Sequence, residues 1–424
     1  MNKTRQLMFA FLLVLSLLSQ TAFAQTDKAK KLDQFITPFA SNGQFSGVVL
    51  ASEDGKVIYE KAFGVANADY KIPNQLNTRI GIASITKYMT SVILNRLIEG
   101  NKIALADKLN KYIPDFPNGD KITIEMLARH RSGIPHRVMP PEAESLAYTS
   151  EEFVQKVKLA KLAFEPGTSR LYSSAGYAVL ARTLEIASGK TYAQLLDEYV
   201  FKPAAMTDSV DFDGEMVMER RAQDYYLSPN GLINVPLKNY SFLVGAGSVY
   251  ATARDVYKFA EAVLDGKYGE GVKAALLGER PFSGSGSTNG HRSYFEIARD
   301  KKYGFVILSN SAGVFDLISQ GTLEILQGKE PAVKTFTMPK IIPNPNKNMA
   351  EFLGKYKRND GAETEVILKN GSLYGADLKL YPTRVDCFFE YRFFGDVCFL
   401  RDDSAKIKEI KWKGHNFDFT WVKQ

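Results

Sequence analysis

A proline-rich segment divides this chain into two stretches with different hydrophobic patterns. The segment contains four prolines, Pro331, Pro339, Pro343 and Pro345. Because proline lacks a backbone N–H donor and pushes the preceding residue into an extended conformation, such a run interrupts helices and sheets alike. A chain of 424 residues is also longer than one hydrophobic core commonly serves. We therefore expect a linker at 329–348, a first domain at 25–328 and a smaller second domain at 349–424.

The first domain mixes strand and helix signals in a characteristic order. Two strands joined by a turn, 46–51 and 56–62, come early, and two more, 293–298 and 303–309, come late. Elsewhere apolar residues recur with the spacing of amphipathic helices. Helices are expected at 27–40, 84–99, 149–162, 177–187, 192–199, 253–264 and 314–326. Strands from both ends that enclose helices predict an α/β (α+β) fold, in which an antiparallel sheet is flanked by helices and carries an inserted helical subdomain.

The second domain has the pattern of short alternating strands. The clearest pair, 363–368 and 372–374, flanks Asn370-Gly371, a strong signal for a two-residue hairpin turn. Further strands are expected at 397–400, 406–412 and 417–422. The pattern predicts a small all-β domain that resembles a barrel.

Both cysteines of the chain, Cys387 and Cys398, lie in this second domain. The intervening residues suit two strands joined by a turn. Outside the cytoplasm the two thiols could form a disulfide. Two buried free thiols are the alternative, and neither arrangement would be catalytic.

The first 24 residues have the three parts of a secretory signal peptide. Lys3 and Arg5 precede the apolar run 7–18, and residues 22–24, Ala-Phe-Ala, offer a small-x-small cleavage site. An uncleaved transmembrane helix is the alternative, but about 12 apolar residues are too few to span a bilayer. We expect a bacterial protein exported to the periplasm or secreted. Its net charge of +7 favours loose association with the anionic cell envelope.

Ser84-Ile85-Thr86-Lys87 is the single Ser-x-x-Lys of the sequence, at the start of a predicted helix. A separation of three residues places both side chains on one helix face, one turn apart. A serine hydroxyl becomes a good nucleophile only when a base removes its proton. Lysine can be that base only if burial or another cation lowers its pKa from about 10.4 toward ~7–8. Ser84 and Lys87 are therefore candidate catalytic residues, although the motif alone is weak.

Two later segments strengthen this interpretation. Tyr172-Ser173-Ser174 lies between a Pro-Gly and a Gly-Tyr pair, and the glycine-rich run 283–290 precedes a predicted strand. With the Ser-x-x-Lys, they resemble the three motifs of the serine β-lactamase and penicillin-binding-protein superfamily. The likeness is greatest to the branch of class C β-lactamases, esterases and DD-peptidases, and it extends over about residues 30–325.

The resemblance implies a role for each matched position. Ser84 would be acylated, Lys87 would accept its proton, and Tyr172, its phenol pKa lowered by nearby cations, would shuttle protons to the leaving group. The backbone N–H groups of Ser84 and Ser287 would form the oxyanion hole. The remaining substrate-binding positions would be Ser174, Gly284, Ser285 and Gly286. The resemblance implies no cofactor and no metal.

Two positions depart from the family pattern. Ser174 replaces a frequent asparagine, a mild change because serine still donates and accepts a hydrogen bond. Gly284 stands where the third motif begins with lysine or histidine, so the group that helps to hold the tyrosine and attracts a substrate carboxylate is missing. His291 or Arg292 could compensate, but a solvent-facing strand start is the favoured interpretation. β-Lactamase activity is therefore doubtful, and Gly284→His or Gly284→Lys is expected to raise reactivity toward β-lactams.

Other chemistries find little support in the sequence. The four histidines have no metal-ligand spacing. Scattered charge gives no indication of nucleic-acid binding. A Ser-His-Asp hydrolase of the α/β type would need a Gly-x-Ser-x-Gly elbow, which does not occur.

Two functional hypotheses follow. The first is an exported serine hydrolase that cleaves an ester, or an amide such as a D-amino-acid peptide, in a small-molecule or peptidoglycan-like substrate. The second is a catalytically weakened, penicillin-binding-like protein that binds or senses a peptidoglycan or acyl ligand. The presence of Ser84, Lys87 and Tyr172 favours the first hypothesis, and Gly284 favours the second. The sequence does not indicate the oligomeric state.

Overall fold

A computed structural model describes residues 27–346, 348–375, 378–415 and 417–424, and the predicted signal peptide lies outside them. The helices are α1 (Asp27–Ser41), α2 (Thr86–Glu99), α3 (Ile124–Ala128), α4 (Ser150–Lys158), α5 (Ser174–Ser188), α6 (Tyr192–Leu196), α7 (Lys202–Ala204), α8 (Ala253–Leu264), α9 (Glu270–Leu276) and α10 (Phe315–Leu326). The strands up to the proline-rich segment are β1 (Gly47–Glu53), β2 (Lys56–Phe63), β3 (Val65–Asn67), β4 (Ile72–Pro73), β5 (Ile80–Gly81), β6 (Val210–Asp211), β7 (Tyr225–Ser228), β8 (Gly231–Asn234), β9 (Val249–Ala251), β10 (Phe282–Ser287), β11 (Arg292–Ile297) and β12 (Tyr303–Ser309). Those after it are β13 (Gly354–Arg358), β14 (Glu363–Lys369), β15 (Ser372–Gly375), β16 (Leu378–Lys379), β17 (Tyr381–Arg384), β18 (Cys387–Glu390), β19 (Gly395–Arg401), β20 (Ile407–Lys413) and β21 (Asp418–Lys423).

An antiparallel sheet with the order β10-β11-β12-β1-β2 forms the centre of the first domain. β1 pairs with β12, so the early hairpin and the late strands join as the sequence predicted. Side chains alternate along β1: Val48 and Leu50 face the helical subdomain, whereas Val49 and Ala51 face α1 and α10. The sheet is therefore buried on both faces, and the predicted α/β class is confirmed.

The glycine-rich run precedes a strand as predicted, since β11 begins at Arg292. The sequence did not indicate that residues 282–287 of this region are themselves a strand, the edge strand β10. Glycine and serine have low strand propensity, but an edge strand needs only one partner, and glycine permits a close approach of another backbone. A smaller difference concerns the helix predicted at 192–199, which is α6 followed by a π-helical turn at Asp197–Phe201.

The strands after the proline-rich segment form a nearly closed barrel. Within the described residues their order is β16-β15-β14-β13-β21-β20-β19-β18-β17. The two edge strands, β16 and β17, are separated by Leu380 alone, so the sheet must curl until its edges meet. The predicted Asn370-Gly371 turn joins β14 to β15, with both residues at positive φ as a two-residue hairpin requires. This confirms the barrel-like fold, while the domain boundaries stay a prediction.

The hairpin of β18 and β19 connects the barrel to the first domain. Cys387 and Cys398 are cross-strand partners within it and form a disulfide, which decides between the two alternatives. At the hairpin tip, Tyr391 and Phe394 are buried in the apolar cluster that contains α1 and α10. The tip therefore has a defined position against the first domain. None of the helices in the described residues combines the length and apolar character needed to cross a bilayer.

Candidate active site

Ser84 lies in a short 3₁₀ turn, Ala83–Ile85, that leads directly into α2. The preceding residue, Ala83, has a φ of 48°, in the left-handed region that residues with a Cβ rarely occupy. Such strain persists only when the surrounding structure enforces it, and it is typical of functional sites. The turn therefore holds Ser84 in a fixed orientation, a feature that the sequence did not indicate.

Lys87 lies one turn further along and is only 6% exposed. Its Nζ is 2.7 Å from the carbonyl oxygen of Ala246, 3.2 Å from Ser174 Oγ and 3.3 Å from Ser84 Oγ. Burial lowers the pKa of Lys87 to about 7. A neutral amine has two N–H donors and one lone pair, so it can donate to Ala246 and Ser174 while accepting the proton of Ser84. This meets the condition for lysine to act as a base.

Tyr172 completes a hydrogen-bonded group with Ser84. Its hydroxyl donates to Ser84 Oγ at 2.8 Å, and its ring centre is 4.9 Å from Lys87 Nζ. The expected lowering of its pKa is wrong: desolvation raises the pKa of Tyr172 despite the adjacent lysine. Burial is the largest cause, and Lys87, whose pKa is about 7, is already neutral at the higher pH where the Tyr172 phenol would ionise. At neutral pH Tyr172 is a phenol and can donate a proton.

Two histidines support the second motif. From the sequence they could be assessed only as possible metal ligands. The ring centroids of His130 and His136 lie 4.5 and 5.5 Å from that of Tyr172. His130 Nδ1 accepts from the backbone N–H of Ser173, and His136 Nδ1 accepts from that of Ser174. Desolvation lowers the pKa of His130 to about 4 and also lowers that of His136, so both rings stay neutral acceptors. The available signal in the sequence was that the two histidines lie close together, on either side of Ser132-Gly133-Ile134-Pro135.

The third motif contributes a close backbone contact to the site, and it contributes no cationic side chain at position 284. A Cβ placed on Gly286 would lie 2.8 Å from the backbone nitrogen of Ser84, so only glycine fits this contact. A Cβ on Gly284 would come within 2.8 Å of the rings of Phe295 and Tyr88. The missing cation is thus replaced by aromatic packing, which leaves no room for a lysine or histidine.

The backbone of Ser287 is oriented as an oxyanion hole requires. The Thr288 N–H donates to the His291 carbonyl, so these two residues form a hydrogen-bonded pair. Because hydrogen-bonded and open pairs alternate in an antiparallel ladder, the next pair, Ser287 with Arg292, is open. The N–H of Ser287 therefore points away from β11, toward the free edge of the sheet.

A cavity of about 1220 Å³ contains most of the predicted site residues. Its wall includes Ser84, Lys87, Tyr172, Ser174, Ser285, Gly286 and Ser287. Gly284 is buried beneath Tyr88 and Phe295 and is not part of the wall. The structure therefore brings the three motifs together around one space, with Gly284 as the exception.

The expectation that His291 and Arg292 face solvent is wrong. His291 is 1% exposed and packs against Tyr240 and Tyr250. Arg292 is 9% exposed, and its side chain lines the cavity. Its burial reflects the tip of the β18–β19 hairpin, whose Phe393 lies 5.6 Å from the guanidinium carbon. A local sequence pattern cannot show a contact with the other domain.

Comparisons with known proteins identify relatives of this chain. D-alanyl-D-alanine-carboxypeptidase/endopeptidase AmpH of Escherichia coli (strain K12) is 30% identical over 237 residues, 53% of this chain and 58% of that protein. Teichoic acid D-alanine hydrolase of Staphylococcus aureus (strain MRSA252) is 27% identical over 243 residues, 57% of this chain and 59% of that protein. The chain thus spans less than two thirds of either relative.

The similarity of fold extends over both domains. The octameric penicillin-binding protein homologue from Pyrococcus abyssi superposes with a TM-score of 0.61 at 21% identity and covers 94% of this chain and 100% of that one. A family model described as Beta-lactamase matches residues 32–328. The chain therefore belongs to the β-lactamase family.

Proposed function

We propose that this protein is an exported serine hydrolase that forms an acyl-enzyme through Ser84 and cleaves an ester or amide of a D-amino acid. The observation that carries the proposal is the position of Ser84 Oγ, 2.8 Å from the Tyr172 hydroxyl and 3.3 Å from Lys87 Nζ. A serine held between a neutral amine and a phenol has a base to activate it and an acid to release the leaving group.

The residues divide the reaction as follows. Lys87 takes the proton of Ser84 as Oγ attacks the substrate carbonyl carbon, and the carbonyl electrons move onto its oxygen. The N–H groups of Ser84 and Ser287 stabilise that oxyanion, a contribution of several kcal/mol in such enzymes. The bond to the leaving oxygen or nitrogen breaks as Tyr172 donates its proton, which the Lys87 ammonium then replaces. Water releases the acyl group by the reverse sequence.

The substrate class is supported by the relatives and by the third motif. Both relatives are named for reactions of D-alanine, one as a D-alanyl-D-alanine-carboxypeptidase/endopeptidase and one as a teichoic acid D-alanine hydrolase. The aromatic packing around Gly284 removes the group that would meet a β-lactam carboxylate. We therefore place D-alanyl esters and amides ahead of β-lactams as substrates.

The test is covalent labelling followed by intact mass measurement. The mature protein should gain one adduct from a fluorophosphonate and hydrolyse p-nitrophenyl acetate, and Ser84→Ala should abolish both with an unchanged circular dichroism spectrum. Ser91→Ala removes another serine of the cavity wall and should keep both activities. An adduct that persists in Ser84→Ala would disprove the assignment. Absence of any adduct in the wild type would favour the binding or sensing protein.

Export is part of the same proposal. It is supported by the signal-peptide pattern of residues 1–24 and by the Cys387–Cys398 disulfide, because disulfides persist in oxidising compartments. Protein recovered from a bacterial periplasm should begin at Gln25. Recovery of a reduced protein with an intact first segment from the cytoplasm would contradict export.

A further inference from the structure

Arg292 is a buried cation with unused hydrogen-bonding capacity. Its Nη1 donates to the carbonyl oxygens of Thr288 at 2.7 Å and of His291 at 3.1 Å. Its Nη2 is buried and has no hydrogen-bond partner among the described residues. A buried guanidinium nitrogen without an acceptor is unfavourable, and a bound anion is one arrangement that would satisfy it. Arg292 lines the cavity, so a small movement of its side chain would present Nη2 to an acceptor there.

A second cation comes from the other domain. Arg392 lies at the tip of the β18–β19 hairpin and lines the same cavity. Its Nη2 donates to Asn289 Oδ1 at 3.5 Å, and its guanidinium carbon lies 5.4 Å from the ring centre of Phe393. The guanidinium of Arg292 lies 5.6 Å from the same ring centre. The two cations therefore flank Phe393, and their repulsion adds to burial in lowering the pKa of Arg292 to about 10.

Two acidic residues, Glu390 and Asp316, lie close enough to act electrostatically on Arg292. Glu390 lies in the same hairpin and accepts from the backbone N–H groups of Arg392 and Phe393. Complete burial raises the pKa of Glu390 to about 7, so it is only partly ionised at neutral pH. Asp316, at the exposed start of α10, also lines the cavity and acts electrostatically on Arg292. Besides Lys87, the cavity wall carries seven arginine and lysine side chains against two carboxylates, those of Glu144 and Asp316, so its net charge is positive.

The hydroxyl of Ser287 belongs to the same group. Ser287 and Arg292 are direct cross-strand partners, so their side chains lie on one face of the sheet. Both donate to the carbonyl oxygen of Thr288. The cations are thus adjacent to the strand that supplies the proposed oxyanion hole.

We infer that Arg292 and Arg392, with the hydroxyl of Ser287, bind an anionic group of the substrate, a carboxylate or a phosphate. The inference rests on the proposed function and deepens it, because the second domain then completes the substrate site. Arg292 itself lies on β11, but its guanidinium reaches back to the carbonyl oxygen of Thr288, directly after the edge strand β10.

The test compares charged and neutral members of two substrate pairs. The first pair is N-acetyl-D-alanyl-D-lactate and its methylamide, and the second is the D-alanyl ester of glycerol phosphate and that of glycerol. The wild type should prefer the charged member of one pair by about tenfold or more in kcat/KM, the factor expected of a hydrogen bond to a charged group. The pair that shows the preference identifies carboxylate or phosphate.

Substitutions of the two arginines test whether they cause this preference for the charged substrate. Arg392→Gln, on the half-buried hairpin tip, and Arg292→Gln should each bring the ratio toward one, whereas Arg392→Lys should keep most of it. Arg129→Gln is the matched control, because it removes an exposed cation from another wall of the cavity. An unchanged ratio in Arg392→Gln, or an equal loss in Arg129→Gln, would overturn the inference.

A binding measurement separates this inference from the hydrolase proposal. Calorimetric titration of Ser84→Ala with the same four compounds needs no turnover. Tighter binding of one charged member, lost in Ser84→Ala/Arg392→Gln, would support the anion site even if the wild type hydrolyses nothing. Equal binding of the charged and neutral members would reject it.

Discussion

At the scale of single residues, burial rather than the number of nearby charges sets the chemistry of this site. Lys87 and Tyr172 are close neighbours, and a count of charges predicts that each should favour ionisation of the other. Desolvation acts against both charged forms and lowers the pKa of Lys87 while it raises that of Tyr172. The result is an amine that is partly neutral at pH 7 and a neutral phenol on either side of Ser84.

The pH dependence of acylation should report the titration of Lys87. With its pKa near 7, Lys87 is protonated and inactive as a base below pH 7 and becomes active as the pH rises through that value. We expect kcat/KM for p-nitrophenyl acetate to rise about tenfold per pH unit on the acidic limb and to level off above pH 7. The Ser84→Ala rate serves as the background. A rise centred above pH 9 would exclude Lys87 as the base.

Tyr172→Phe should separate the two proton transfers. The phenyl ring keeps its packing against His130 and His136, but the proton for the leaving group is lost. We expect kcat/KM for an alkyl ester or an amide to fall by ~10²–10⁴, the usual contribution of a general acid. The activated ester p-nitrophenyl acetate should lose much less, because its leaving group departs as an anion. Equal losses on both substrates would mean that Tyr172 acts elsewhere.

At the scale of elements, the edge strand β10 shows that tertiary contacts can favour a strand whose residues have low intrinsic strand propensity. Its sequence is poor in strand-forming residues, yet Gly286 permits the contact with Ser84 and Gly284 accommodates two aromatic rings. Strand propensities of single residue types predict neither the close contact at Gly286 nor the aromatic packing at Gly284. The order of strands and helices was predictable because hydrophobic periodicity is local, whereas the strand assignment of residues 282–287 depends on the backbone that packs against them.

Gly284→Ala should therefore destabilise the protein. The added methyl group would come within 2.8 Å of both Phe295 and Tyr88, and overpacking of this kind costs about 1–3 kcal/mol. Thermal unfolding should show a lower Tm. Gly375→Ala, in strand β15, is the matched control, since a Cβ there meets nothing within 4 Å. A Tm equal to the wild type in Gly284→Ala would show that the rings yield, and Gly284→Lys would then become a fair test of β-lactam reactivity.

At the scale of the whole molecule, the barrel contributes a wall of the cavity. The proposed nucleophile, base and acid could be identified from the sequence because each belongs to a short motif, and these motifs follow one another in a known order. Arg392 could not, because nothing in its neighbourhood along the chain marks it as part of a site. Only the docking of Tyr391 and Phe394 into the apolar cluster of α1 and α10 brings it there.

The disulfide should stabilise that docked hairpin. Closing a loop between Cys387 and Cys398 is expected to contribute about 3 kcal/mol by restricting the unfolded chain. Reductant should lower the Tm of the wild type, and Cys387→Ser/Cys398→Ser should show the lower Tm with and without reductant. The same treatment should reduce the preference for charged substrates. Identical melting of the reduced and oxidised wild type would refute a stabilising role.

The position of Arg392 along the chain also has a consequence for biogenesis. Ribosomes complete Ser84, Lys87 and Tyr172 well before the β18–β19 hairpin, and domains generally fold in the order of their synthesis. In a newly made molecule, the first domain with Ser84 would therefore fold before the second domain places Arg392 beside Arg292. On the proposed assignment of Arg392, selectivity for charged substrates would be the last property that this protein acquires.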